Sequence, residues 1–518
     1  MDAALGRALS QLPTAEPSLA EARRLLAQRR EEFPEPMRVA LVGRVSAGKS
    51  TLVNALLGEP VMATGQTELT LNVCRLRHTP TPELTIHYQD GRIARAAAAT
   101  VEELANLTAH HRTADPAFLA AVDHAVFGYP SPRLADFDLI DTPGLDSVFA
   151  SDTASTLSYL RLRGPELDPD AGSEPAVAAA ARERARKADA LVHVFSSRGR
   201  SAGEDELLRD FKRAATELTS PITAIGALTK VERYWRHDRQ DVLAVGRTVA
   251  DRLMREGGAN RQLYELRPLA SLVGAAAGSF TGQDFADLTA LATDITPALL
   301  TRKVGFGPGF AGDALDGFPV PAPRRASLLD RFSAHGITLA CDLIRQGIDD
   351  PAELRRELHG RSGMTGFWQL LRDHFVLRAD LIKLQSLISE ADELAARSGG
   401  AVDPRLRRAT VEITEMAYQE HAFDELTVVR NHYAGMLRFS LADAADALRI
   451  VGERGYSAAL RLGLPSTAPS EQLSVRARER SGHWAALAID PACSGPTRRA
   501  CRVVQRSLDA LIAATATG

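Results

Sequence analysis

Cysteine is scarce in this chain: Cys74, Cys341, Cys493 and Cys501 are the only four in 518 residues. Their spacing suits neither a zinc site nor a redox pair, so reduced thiols in a cytosolic protein are expected. Long apolar runs are missing too. The nearest, "LASLVGAAAGSF", is short and rich in small residues, whereas a membrane span needs roughly 18 or more apolar positions. No basic region followed by an apolar core opens the sequence, so no signal peptide is expected. Nor does one sign of charge dominate: 62 Lys and Arg against 65 Asp and Glu leave a net charge of −3, and no nucleic-acid partner is expected. Any action on membranes is expected from outside the bilayer.

Strand signal is unevenly distributed. Residues 1–33 read as one amphipathic helix, with Leu19, Leu25 and Leu26 among charges, stopped by "FPEP". From Met37 to about Leu300, strand-like apolar runs alternate with helical stretches, the pattern of an α/β domain. Residues 304–323 are dense in Gly and Pro and read as a loop or linker. Beyond them almost no strand signal remains. Helices are expected at about 326–347, 352–360, 366–397, 404–450 and 475–515. The two long middle ones, separated by "SGGAVDPR", predict a helical hairpin projecting as a stalk, with a compact all-helical domain as the alternative.

"GRVSAGKST" carries the first chemical signal. The spacing of Gly43, Gly48, Lys49 and Ser50 is that of a phosphate-binding loop, and it lies between a strand-like "MRVALVG" and a helix-like "KSTLVNALLG". Backbone N–H groups of Gly43, Arg44, Val45, Ser46, Ala47 and Gly48 and a helix N-terminus are expected to face phosphates. Lys49 places a compact charge beside them, Thr51 follows in the first helical turn, and Ser50 ligates Mg²⁺. In "FDLIDTPGLDS" a strand ends at Asp141, whose carboxylate is expected to hold Mg²⁺ through water, with the Gly144 N–H on the γ-phosphate. Loop and strand in this order point to a GTPase.

A third strand, in "PITAIGALTKVE", ends in Thr229, Lys230 and Glu232 where GTPases carry Asn/Thr-Lys-x-Asp. Lys230 is expected against the base and Glu232 on the guanine N–H donors. Glutamate in place of aspartate moves that carboxylate, so a relaxed guanine preference is expected while GTP stays favoured. "PLASLVG" offers a softer fifth element near Ala270 and Ser271. For the switch threonine on Mg²⁺, "ATGQTELTLNVC" supplies Thr64, Thr67 and Thr70; Thr70 is preferred because it directly precedes a strand-like run, with Thr67 second. Between Thr70 and Asp141 the chain is far longer than a minimal GTPase needs. It reads as a hairpin turning at Gln89, Asp90 and Gly91, the helix-like "TVEELANLTAHHR" and the strand-like "DHAVFGYP". His110 and His111 read as a solvated face. The insertion is expected to enlarge the sheet.

Together these motifs resemble the dynamin-like GTPases. Ser46 in "GRVSAGKS" matches their loop serine, and Leu145 after "DTPG" matches their apolar residue where small GTPases carry a catalytic glutamine. The match is closer to the bacterial branch, particularly the isoniazid-inducible dynamin-like proteins of actinobacteria, through "AGKSTLVNAL", "TEL-T", "LLDRFSAHGITLA", "ELHGRSGMTGFWQLLRDHFVLRADLIK" and "HAFDEL". The resemblance runs from about residue 37 to the C-terminus.

It implies an α/β P-loop GTPase domain with an extended, mostly parallel central sheet, followed by an elongated α-helical neck and trunk bundle. The expected division is an N-terminal helix packing on the neck over 1–36, the GTPase domain over 37–325 or as far as about 365, and the bundle over 326–518 with a tip near 397–408. GTP and GDP, Mg²⁺ and a monovalent cation, K⁺ or Na⁺, are the implied ligands. A homodimer through the heads, a membrane-anchored dynamin-like sibling and an anionic lipid surface are the implied partners, with a cytoplasmic chain peripheral on the inner face of the cell membrane. Leu145 cannot orient water, so Ser46, Lys49, Thr70, the Gly144 amide and a cation or Arg44 are expected to organise hydrolysis; Arg44 as a plain surface residue is the alternative. At the tip Arg397, Arg405, Arg407 and Arg408 outnumber Asp403. Two other readings stay open: a nucleotide-binding scaffold with low turnover, and a regulatory GTPase acting on RNA or the ribosome.

Overall fold

The computed structural model describes residues 2–12, 17–43, 46–62, 73–88, 90–97, 122–141, 188–196, 221–236, 241–256, 262–312, 318–384 and 421–516, apart from Ala434, Arg454 and Tyr456, with a few single positions outside these ranges. The chain divides into two compact units. One comprises Arg38–Thr219 with Ala224–Leu370 and carries the sheet; the other comprises Met1–Met37, Ser220–Thr223 and Leu371–Gly518.

Among the described residues nine strands form one sheet: β1 (Met37–Val42), β2 (Val73–His78), β3 (Glu83–Tyr88), β4 (Ile93–Ala97), β5 (Val122–Tyr129), β6 (Phe137–Asp141), β7 (Ala190–Ser196), β8 (Ala224–Thr229) and β9 (Leu266–Pro268). Their order is β4-β3-β5-β2-β6-β1-β7-β8-β9. The β1-β7-β8-β9 half is parallel, and its strands are short continuous apolar runs because both faces are covered. The expected insertion supplies the other wing. There β2 runs parallel to β5 and antiparallel to β6, while β3 and β4 form a hairpin whose turn uses Gly91 at φ 85° and the Asp90 carboxylate, which accepts from the Arg92 N–H at 3.0 Å. "TVEELANLTAHHR", with His110 and His111, lies outside the described residues.

Two buried ion pairs hold strand ends in this unit. Asp189, just before β7, accepts from the Arg38 N–H at 2.8 Å and its guanidinium at 3.3 Å, and Asp138 on β6 takes the Arg75 Nε of β2 at 2.6 Å. Arg75 is only 2% exposed, so either partner alone would leave an uncompensated buried charge.

The described helices are α1 (Asp2–Gln11), α2 (Pro17–Glu32), α3 (Lys49–Leu57), α4 (Val242–Glu256), α5 (Ser271–Gly278), α6 (Gly282–Asp294), α7 (Pro297–Gly305), α8 (Pro308–Gly312), α9 (Ala322–Arg345), α10 (Pro351–Arg361), α11 (Met364–His374), α12 (His421–Tyr433), α13 (Leu441–Ile450), α14 (Ala458–Leu462), α15 (Ser470–Ile489) and α16 (Gly495–Ala516). The single helix read over 1–33 is two. Arg23 of α2 donates to the carbonyls of Leu9 and Leu12 at 2.8 and 2.5 Å, closing α1, and Leu5, Leu12, Leu19 and Leu26 bury against Leu384 and Leu387.

The Gly- and Pro-rich stretch read as a linker is instead partly helical and packed. Phe310 and Val320 are buried, and the Arg325 guanidinium donates to both of their carbonyls at 2.7 Å. The sheet-bearing unit runs through α9 and α10 to Leu370.

The long helices read farther on are also interrupted. A 3₁₀ turn over Val376–Arg378 follows α11, with the Arg378 guanidinium folded back on the Asp373 and His374 carbonyls at 3.2 and 3.1 Å. Gly435 at φ 71° follows α12, and Ser440 caps a new start at α13. Asp490 and Pro491 break the stretch read over 475–515 into the α15–α16 hairpin. The tip near 397–408 lies outside the described residues except for Arg405 and Arg408.

Candidate nucleotide site

The phosphate loop leaves β1 at Gly43, where a Cβ would stand 2.4 Å from the Val194 carbonyl oxygen of the neighbouring strand. Only glycine fits that approach. Ser46 (φ 56°) and Gly48 (φ 96°) take left-handed conformations that turn the chain back into α3. The N-cap of α3 is Gly48, which has no side chain to cap the helix, so the helix N-terminus opens on the loop, the arrangement an oxyanion requires.

Lys49 is 7% exposed and its Nζ donates to the Gly43 carbonyl at 3.0 Å, drawing the ammonium across the loop. The Ser50 hydroxyl donates to Asp141 Oδ2 at 2.8 Å, and Asp141 is fully buried at the end of β6. A hydroxyl and a carboxylate in hydrogen-bond contact are hard oxygen donors of the kind Mg²⁺ takes with retained waters, so this pair fits the ion. Thr51 sits half-buried in the same helical turn.

The third motif closes on the first. The Thr229 hydroxyl lies 2.6 Å from the Ala47 carbonyl and 3.0 Å from that of Phe195, and its single proton serves one of them at a time. Lys230, at φ 58°, begins a 3₁₀ turn and donates from Nζ to the Ser46 carbonyl. Glu232 is buried. Burial pushes its carboxyl up to about 7 against the smaller opposing pull of its own amide, the Arg233 and Lys230 charges and the Leu272 N–H. Its Oε2 has no hydrogen-bond partner. Ser271 is buried as the first residue of α5, after β9, and the preceding Ala270 N–H donates to the Ser362 carbonyl at 3.0 Å.

The structure thus brings together Gly43, Ser46, Ala47, Gly48, Lys49, Ser50, Asp141, Thr229, Lys230, Glu232 and Ser271. Arg44, Val45, the switch candidates Thr64, Thr67 and Thr70, and Gly144 with Leu145 lie outside the described residues.

Two contributors went unnoticed in the sequence. Asn54, inside α3, grips Met62 from both sides: its Nδ2 donates to the Met62 carbonyl and its Oδ1 accepts from the Met62 N–H, each at 2.7 Å. This pins the chain just before the switch-candidate segment. An asparagine inside an apolar helical run, where its propensity is poor, was the available signal. Ser362 is fully buried and left no signal at all, because its part is played by a backbone carbonyl.

Residues 39–209 match the model of the dynamin family. Residues 39–209 form a dynamin-family GTPase domain. The chain is 28% identical over 490 residues to the isoniazid-induced protein IniC of Mycobacterium tuberculosis, covering 92% of this chain and 90% of that protein. It is 31% identical over 123 residues to dynamin-like protein 2 of Campylobacter jejuni, 24% of this chain and 19% of that one. A solved structure described as an oligomerised bacterial dynamin pair that senses and tethers membranes aligns with 98% of this chain and 78% of its own, at a TM-score of 0.32 and 13% identity. GTP hydrolysis is the activity of the dynamin-like domain, and no described helix is long and apolar enough to cross a membrane.

Proposed function

We propose that this dynamin-like GTPase selects GTP through Glu232, hydrolyses it in a head that is completed by dimerisation, and couples the cycle to movement of the helical unit in membrane remodelling or maintenance. The observation that carries the base assignment is the buried Glu232 carboxylate with one oxygen still lacking a partner, next to a Lys230 already tied to the phosphate loop. Guanine offers two adjacent N–H donors to such an acceptor, and adenine does not. Lys49 exchanges the Gly43 carbonyl for phosphate oxygens, while Ser50, Asp141 and Thr70 hold Mg²⁺. When bound, the ion neutralises charge on the phosphate oxygens.

Leu145 contributes no polar group, so the charge at the transition state comes from K⁺ or Na⁺ or from Arg44, with Ser46 and the Gly144 amide positioning the reacting groups. Loss of the γ-phosphate frees Thr70 and Gly144, and this release drives the conformational step. A peripheral place on the inner membrane face, beside a membrane-anchored sibling, follows from this reading.

The test is GTP and ATP turnover per molecule across protein concentrations, in K⁺, Na⁺ and a bulky organic cation, with Lys49→Ala as the blank. GTP-selective turnover that rises with concentration supports the reading. A flat rate close to the blank favours the low-turnover scaffold that Leu145 motivates.

A further inference from the structure

The helical unit carries a surface made by two connections, residues 435–440 leading into α13 and the 490–494 turn between α15 and α16. They adjoin: the Arg438 N–H donates to Thr497 Oγ1 at 3.0 Å, the Phe439 ring meets Trp484 edge-on at 5.5 Å, and His483 Nε2 lies 2.8 Å from Asp443 Oδ1. On these connections and the helix ends they join stand Met436, 54% exposed, Leu441 at the start of α13, 94% exposed, and Ile489 at the end of α15, 80% exposed. Leu441 occupies the first position of α13, where Ser440 already caps the helix and a polar side chain would serve local structure better. One such residue is ordinary; three large ones on two adjoining connections call for a partner.

Arg438, Arg498 and Arg499 are exposed around them. Two carboxylates lie nearby, Asp443 with Ser440 and His483, and Asp490 with the Ala492 N–H at 2.8 Å, and the three guanidinium charges exceed them by one. Three apolar side chains present roughly a few hundred Å², well short of the 1,000 Å² or more that a stable protein interface needs. A small apolar patch with a cationic border suits an interface of headgroups and acyl chains.

We propose that the surface formed by Met436, Leu441 and Ile489 with Arg438, Arg498 and Arg499 is a contact site for an anionic lipid bilayer. The apolar side chains enter the acyl boundary and the arginines stay with the headgroups. The proposal rests on the membrane reading above and assigns it to residues other than 397–408.

Flotation of the full chain with vesicles of phosphatidylcholine, with or without phosphatidylglycerol, tests it, using L441D/I489D and R438E/R498E/R499E. Wild-type protein is expected to float with the anionic vesicles, each variant to lose about tenfold in bound fraction, and lipid-free GTP turnover to stay unchanged in all three. If wild type floats and both variants float equally well, the site is wrong while the membrane reading survives. Wild type that fails to float with GTP, with GDP and without nucleotide sinks both. A drop in the lipid-free mass of L441D/I489D would make the surface a self-association face and overturn the proposal.

Discussion

In the helical unit, Glu425 is met by the Arg461 guanidinium and by the Ser507 hydroxyl at 2.6 Å, and Asp446 by Arg449, Arg480 and the Trp484 indole N–H at 3.0 Å. In the sheet-bearing unit, Glu232 is as deeply buried, yet one of its oxygens has no partner. A saturated buried carboxylate fixes architecture, because its partners are already inside the protein. One left short fits a site whose missing donors arrive with a ligand. Lys49, by comparison, donates to a loop carbonyl that phosphate oxygens can replace.

Lys49→Ala should break the ligand side of this comparison most severely, lowering kcat/KM for GTP by about 10³-fold or more, by the scale of transition-state charges in phosphoryl transfer; its thermal unfolding should move little. Asp446→Ala should do the reverse, costing about 3–5 kcal/mol by denaturant unfolding because Arg449, Arg480 and Trp484 lose their acceptor. Its per-molecule turnover, measured on the folded fraction, should hold.

Glu232→Gln sharpens the comparison through pH. With the carboxyl raised to about 7, the folded protein binds a proton that the unfolded chain has already released above about 4.5. Nucleotide-free stability should therefore fall as pH rises from 4.5 to 7. GTP affinity should rise over the upper part of that range, as the acceptor ionises, and then level off. The glutamine variant should lose both slopes and about 10²-fold in GTP over ATP preference, by the scale of recognition that leaves buried groups unpaired; calorimetric titration at several pH values reads this. Asp350→Ala, which removes the cap accepting from the Glu353 N–H at 2.8 Å, should cost only about 1 kcal/mol and leave nucleotide binding unchanged.

The phosphate loop was legible because its information is local: Gly43, Gly48, Lys49 and Ser50 act through backbone shape and adjacent positions. The β3–β4 hairpin was legible for the same reason at Asp90 and Gly91. What escaped depends on partners distant in sequence. Asn54 gains meaning from Met62, and Ala270 from the Ser362 carbonyl. The stretch around Phe310 reads as a linker by composition and becomes core only because Arg325 binds its carbonyls. The helix breaks at Gly435 and Pro491 did carry signals, which apolar periodicity on either side concealed.

The N-terminal helices belong to the unit completed by residues 371–518, and that has a consequence on the ribosome. The apolar stripe of α1 and α2 emerges well before Leu384 and Leu387, which cover it and of which the later is made some 355 residues after Glu32. At about 5–20 residues per second the nascent chain carries that stripe bare for roughly 20–70 s. Through that interval the sheet-bearing unit can finish folding, and Leu5, Leu12 and Leu19 offer a holding chaperone a place to bind.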